Sequence, residues 1–279
     1  MNKPPSHLPH PIALAALALA CTAALAPASV LFTDNFDIAD TGSLDGSDQT
    51  GRHTGLIAND IVLRSGGIQH TISGGQLNLL AQPLGRVRFQ SVAALPGNAL
   101  YDFGSGAGAA QMLADGGFRV EFDWTPVNNT STDWICVNLG YNYFDTGVGV
   151  NQPSTDFGML FRNNGGTQIF DNSVVVGTPS YAAPTVATHH ALIDFAFNSF
   201  ADGTSITATP SVDGIAVGAP VVFDWNGNAG VISLELGAND GTKRLDNLSI
   251  STVSVPEPTS LALLGLVGFA AASRPRRSA

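Results

Sequence analysis

The feature that most limits this chain is a two-residue rhythm of apolar side chains, interrupted every few residues by turn formers. Phe118, Val120, Phe122 and Trp124 alternate with Arg119, Glu121 and Asp123. The same rhythm runs through Ile135, Val137 and Leu139, through Ala191, Ile193, Phe195 and Phe197, through Ile232, Leu234 and Leu236, and ends at Leu248 and Ile250. Gly74-Gly75, Pro96-Gly97, Asn163-Asn164-Gly165-Gly166, Asp202-Gly203, Asp213-Gly214, Asn226-Gly227 and Asp240-Gly241 lie between the runs. A strand sends successive side chains to opposite faces, so this alternation describes sheets with one apolar and one wet face. Antiparallel strands joined by tight turns satisfy it, most simply as two sheets packed face to face. No fixed repeat points to a propeller or solenoid, and no long helical period occurs between the two ends.

Those ends differ from the middle. Lys3, an apolar run at 12–25 and the small residues at 26–28 make a secretory signal peptide over 1–28, with the mature start near Ser29. At the other end Val255-Pro256-Glu257-Pro258 precedes an apolar stretch at 261–272 and then Arg274, Arg276 and Arg277. Twelve helical residues reach about 18 Å, well short of the roughly 30 Å hydrocarbon core. A marginal span with a basic stop reads as a temporary membrane tether. The expected organisation is a signal peptide at 1–28, a β-sandwich at 29–252 and a sorting signal at 253–279 with a short hydrophobic helix.

Composition narrows the partners. Without Lys3 and the three tail arginines, eight of the 12 basic residues remain against 22 acidic residues, Glu257 included, a charge near −14. A nucleic-acid partner is excluded, since phosphates would be repelled. Of two cysteines, Cys21 falls in the leader and Cys136 alone survives its removal, so no disulfide forms within the mature chain. Cys136 reads as a strand residue.

The order Val-Pro-Glu-Pro, apolar stretch and arginine cluster resembles the PEP-CTERM sorting signal of Gram-negative bacteria. The resemblance implies recognition and cutting by exosortase, a membrane protease, after transient inner-membrane insertion, and a final place in the cell envelope, extracellular matrix or biofilm. Residues 72–79, 118–123, 212–217 and 244–250, in that order, resemble a concanavalin A-like (LamG-type) jelly roll, as in lectins and laminarinases. That resemblance implies two curved sheets, one of them commonly a sugar-binding face.

Several candidate sites follow. Glu121 and Asp123 resemble the Glu-x-Asp-x-x-Glu strand of laminarinase-type glycosidases, but Pro126 stands where the second glutamate belongs. Hydrolysis needs two carboxyl groups flanking the bond, so no catalytic residue is assigned and the pair reads as a hydrated strand face. Tyr141, Asn142 and Tyr143 combine aromatic rings with an amide, the chemistry of glycan contact. A loop packed on the sheet edge is the plainer reading of the same residues. Trp124, Trp134 and Trp225 would make a stacking platform only if one faced outward. Asp34 and Asp246 share parity with core residues and need partners. The first and last strands of a jelly roll commonly adjoin, so both carboxylates are expected at one junction, bonded to backbone amides, with a structural calcium as the alternative. No other cofactor is expected. His189 and His190 point opposite ways on a strand and cannot share a metal. The resulting expectation is an exported, non-enzymatic protein with a structural or glycan-associating sandwich. A polysaccharide-active enzyme and a calcium-dependent lectin are the alternatives.

Overall fold

The computed structural model describes residues 27–45, 52–65, 70–80, 85–92, 100–141, 150, 155–181, 186–226, 232–239 and 243–253. The compact unit formed by the central part of the chain runs from Ala28 to Val253. In chain order its elements are β1 (Val30–Asp34), β2 (His53–Thr54), β3 (Ile61–Ser65), β4 (Thr71–Ser73), β5 (Gln76–Leu79) and β6 (Gly85–Ser91). Helix α1 (Gly106–Ala114) precedes β7 (Gly117–Thr125), β8 (Trp134–Tyr141), β9 (Phe157–Arg162), β10 (Thr167–Asp171), β11 (Val174–Gly177) and β12 (His189–Ala196). The last five are β13 (Ser205–Val212), β14 (Ile215–Ala216), β15 (Val221–Asp224), β16 (Ile232–Asn239) and β17 (Lys243–Thr252).

The strands form two antiparallel sheets. One has ten strands, ordered β14-β13-β12-β7-β17-β1-β2, with β15 added on β13 and the β4–β5 hairpin added on β17. The other has seven, ordered β11-β10-β9-β8-β16-β6-β3. The alternation read from the sequence is what packs them. Phe118, Val120, Phe122 and Trp124 on β7 are fully buried, as are Val87 and Phe89 on β6 and Phe157, Met159 and Phe161 on β9. Rings from the two sheets meet between the layers: Phe32 with Phe89 at 5.4 Å, Phe122 with Phe161 at 6.2 Å and Phe157 with Phe195 at 5.2 Å. Tilted and edge-to-face rings at such spacings are the favoured aromatic geometry. The unit is therefore an all-β antiparallel sandwich, as the alternation implies.

The turns form where expected. Asp213 and Gly214 both have positive φ, 52° and 75°, and close β13 onto β14. Gly74 and Gly75, at 61° and 72°, close β4 onto β5 in the same manner. Positive φ at both central residues gives a turn whose twist suits a hairpin. The turns at Pro96-Gly97, Asn226-Gly227 and Asp240-Gly241 lie wholly or partly outside the described residues. Two elements carry no advance signal: the nine-residue helix α1, and the β10–β11 hairpin, whose turn uses Asn172 (φ 47°) and Ser173 (φ 66°).

Candidate functional site

The two sheets differ on their outer faces. That of the ten-stranded sheet is wet. Arg119 holds Asp194 with two bonds, 2.6 and 2.9 Å, and reaches Glu121 at 3.3 Å. Asp194 and Glu121 raise the guanidinium's already high pKa further, the Asp194 bond most of all. Asp123 accepts from His190 Nδ1 and Asn247 Nδ2, both at 2.8 Å. Beside Glu121 stand Leu192 on β12 and Ser249 on β17, so no carboxylate is its direct cross-strand neighbour. The pair Glu121 and Asp123 is thus a row of solvated, cross-linked strand residues.

The seven-stranded sheet is apolar toward the core and polar but largely buried on its other side. Register lines up Arg64 on β3, Arg88 on β6, Glu235 on β16, Asn138 on β8 and Gly158 on β9 as one row across five strands. Arg88 Nε donates to Glu235 Oε2 at 2.8 Å, and Asn138 Nδ2 donates to Glu235 Oε1 at 3.1 Å. Arg88, Glu235 and Asn138 are 6%, 7% and 5% exposed. A buried carboxylate held by a guanidinium and an amide is a compensated charge. Gly158 carries no side chain into the row, and a Cβ there would lie 2.1 Å from the Val150 carbonyl oxygen. Trp134, Cys136, Val150, Leu160 and Phe170 form a second, smaller apolar cluster on this side. Burial, with Glu235 nearby, pushes the Cys136 thiol well above its ordinary pKa, which leaves it a packing residue rather than a nucleophile. Sequence reasoning missed this row, because only strand register brings residues 64, 88, 235 and 138 together.

Tyr141 is the last residue of β8, three positions beyond Asn138 on the strand that carries the row, and its backbone pairs with Ile232. Asn142 and Tyr143 lie outside the described residues. None of the three tryptophans offers an outward ring: Trp124, Trp134 and Trp225 are 0%, 9% and 1% exposed. The histidines diverge as a strand requires. His189 is buried against Trp124 and bonds Asp213 at 2.8 Å, while His190 is exposed.

Asp34 and Asp246 are placed differently from the expectation. β1 and β17 are neighbours, with Asp34 opposite Leu248. Asp34 is fully buried; its Oδ1 accepts the Phe36 amide, and its Oδ2 accepts Arg52 Nε and His53 Nε2, each at 2.9 Å. Asp34 Oδ1 thus has the backbone-amide partner expected of it, and a guanidinium and an imidazole already engage Oδ2. Asp246 faces the other way. A bulge at Asn247, whose φ is 48°, breaks the parity of β17 and turns Asp246 onto the outer face beside Asp123. Partial burial, together with Asp123 and Asp37, raises the Asp246 pKa, although the Asn247 amide bonds its carboxylate. Among the described residues no group of three or more His, Cys, Asp or Glu is arranged to hold a metal.

The sorting residues Val255, Pro256, Glu257, Pro258, Arg274, Arg276 and Arg277, like the leader at 1–26, lie outside the described residues. Their sequence nevertheless matches a family. Residues 254–277 are a PEP-CTERM protein-sorting motif. The PEP-CTERM match takes in both the proline-flanked glutamate and the arginine cluster. Among the described residues no helix is long and apolar enough to cross a membrane. No curated protein matches the chain. Solved structures similar to it include carbohydrate recognition domains, lectins and a Trypanosoma rangeli sialidase. The metal-free Emp46p carbohydrate recognition domain has a TM-score of 0.45 and 7% identity, over 75% of this chain and 94% of that one. The VIP36 exoplasmic/lumenal domain, in its Ca2+/Man3GlcNAc-bound form, has 0.44 and 5%, over 74% and 89%. A Bauhinia forficata lectin in complex with GalNAc has 0.42 and 12%, over 70% and 93%.

Proposed function

We propose that this is an exported, non-enzymatic protein of the cell envelope or extracellular matrix, sorted through its C-terminal motif by an exosortase-type membrane protease. The PEP-CTERM match at 254–277 is the observation that carries the reading. The chemistry of the tail supports it. A stretch too short to span a bilayer for long, stopped by arginines, holds a chain at the membrane until it is cut. The sandwich then serves as a structural or glycan-associating component, meeting extracellular polysaccharide with Tyr141, Asn142 and Tyr143 where β8 ends. The non-enzymatic reading is supported by Pro126, which stands where a laminarinase-type strand carries its second glutamate, and by Leu192 and Ser249 as the cross-strand neighbours of Glu121.

Substituting the proline-flanked glutamate tests the sorting half. In cells, Glu257→Ala should leave the protein in the inner-membrane fraction with its tail uncut, while the unaltered chain leaves that fraction. Equal release of both would remove the motif from the account. Glycan-array binding by the unaltered protein, lost in a Tyr141→Ala, Tyr143→Ala double variant with an unchanged melting temperature, tests the other half.

A further inference from the structure

The ten-stranded sheet is not laid down in chain order. β1, the first strand, has β2 and the Leu56 and Ile57 amides on one side and β17 on the other, and β17, the last strand, sits between β7 and β1 while also carrying β5. Among the described residues the β1–β2 edge therefore joins the rest of its sheet only through β17, when the last strand arrives. The join is tight. Ser29 N donates to Thr252 Oγ1 at 2.8 Å across 223 positions of sequence, and Thr252 N donates back to the Ser29 carbonyl at 2.9 Å. Without β17 the core loses Leu245, Leu248 and Ile250, all essentially fully buried, and β7 loses the strand that runs along its whole length. The seven-stranded sheet is different: β8, β9, β10 and β11 are neighbours in both sequence and space. Local ladders form early, whereas a contact across the entire chain must first meet a large loop-closure cost. The matched sorting motif begins at residue 254, one residue beyond Val253, whose amide still bonds the Gly117 carbonyl at 3.3 Å.

We propose that β17 is the closing strand of the sandwich and that its position just ahead of the sorting motif times folding to the last stage of export. Until residue 252 has left the translocation channel, β1 and β7 keep open edges and the chain stays extensible. The sandwich closes while the segment behind β17 still holds the chain at the membrane. This rests on the reading that residues 254–277 sort an exported chain.

Two measurements test it. The first is pulse-labelled hydrogen exchange during refolding of the protein isolated from its final location. Amides of β1 and β17 should gain protection together in the slowest phase, at least ten-fold later than those of β8, β9 and β10. Protection of β1 as early as that of β9 would overturn the proposal. The second arrests export of the full chain with residue 242 or residue 253 just outside the channel and adds protease. A resistant sandwich should appear only at 253, and equal resistance at 242 would overturn the proposal. Neither readout depends on cleavage of the tail. If the exported protein kept Arg276 and Arg277, the sorting reading would fail while the folding result stood on its own.

Discussion

At the scale of single residues, the polar groups inside this sandwich are held by specific partners, and their chemistry predicts how stability responds to pH and substitution. His70 is fully buried; its Nε2 bonds the Arg86 carbonyl at 2.8 Å, and its Nδ1 accepts the Leu80 amide at 3.2 Å. Burial lowers its pKa below the ordinary imidazole value. The folded state therefore favours the neutral ring, and the unfolded chain takes up the proton first. Stability from this site is fully present above about pH 6.5 and is lost as pH falls from there through the depressed folded value. A His70→Gln variant should show a shallower loss of melting temperature between pH 7 and pH 5 than the unaltered protein. The buried Asp34–Arg52 pair makes a second expectation. Arg52→Met leaves a carboxylate in the core with less compensation, a change that typically costs roughly 3–5 kcal/mol, measurable by urea unfolding. Because Arg52 and His53 already hold Asp34, a chelator should leave the melting temperature unchanged. A fall of several degrees would restore the calcium alternative.

At the scale of elements, much was legible in advance and the reason is periodicity. The strands with clean alternation, such as β7 and β12, appear where the pattern puts them, because each residue's face is set by its own position. Turns written as Gly-Gly or Asp-Gly were legible for the same local reason. What could not be read depends on neighbours. The parity of β17 fails at Asn247, since an asparagine commits to positive φ only when the bulge and the Asp123 bond hold it there. The Arg88–Glu235–Asn138 row needs register, and register joins residues from distant parts of the chain. The surroundings of Asp34 were hidden in the same way, with Arg52 and His53 supplied from the neighbourhood of β2. The bulge is open to test: Asn247→Val forces a β-branched residue into positive φ and should cost about 1–3 kcal/mol, whereas Asn247→Gly should cost much less. Gly158→Ala should lower the melting temperature markedly, because backbone rather than a flexible side chain stands 2.1 Å from the new carbon.

At the scale of the whole molecule, the sandwich and the tail have separate tasks. The sandwich supplies an acidic, cross-linked outer sheet and a second sheet whose outer side is closed over a polar row. The tail supplies a sorting motif, and on the proposed reading its Pro-Glu-Pro, apolar and arginine parts hold the chain at a membrane briefly. The most direct test of that claim is the intact mass of the protein recovered outside the inner membrane. The expected species begins near Ser29 and lacks Arg274, Arg276 and Arg277. A recovered species whose mass still includes those arginines would contradict it.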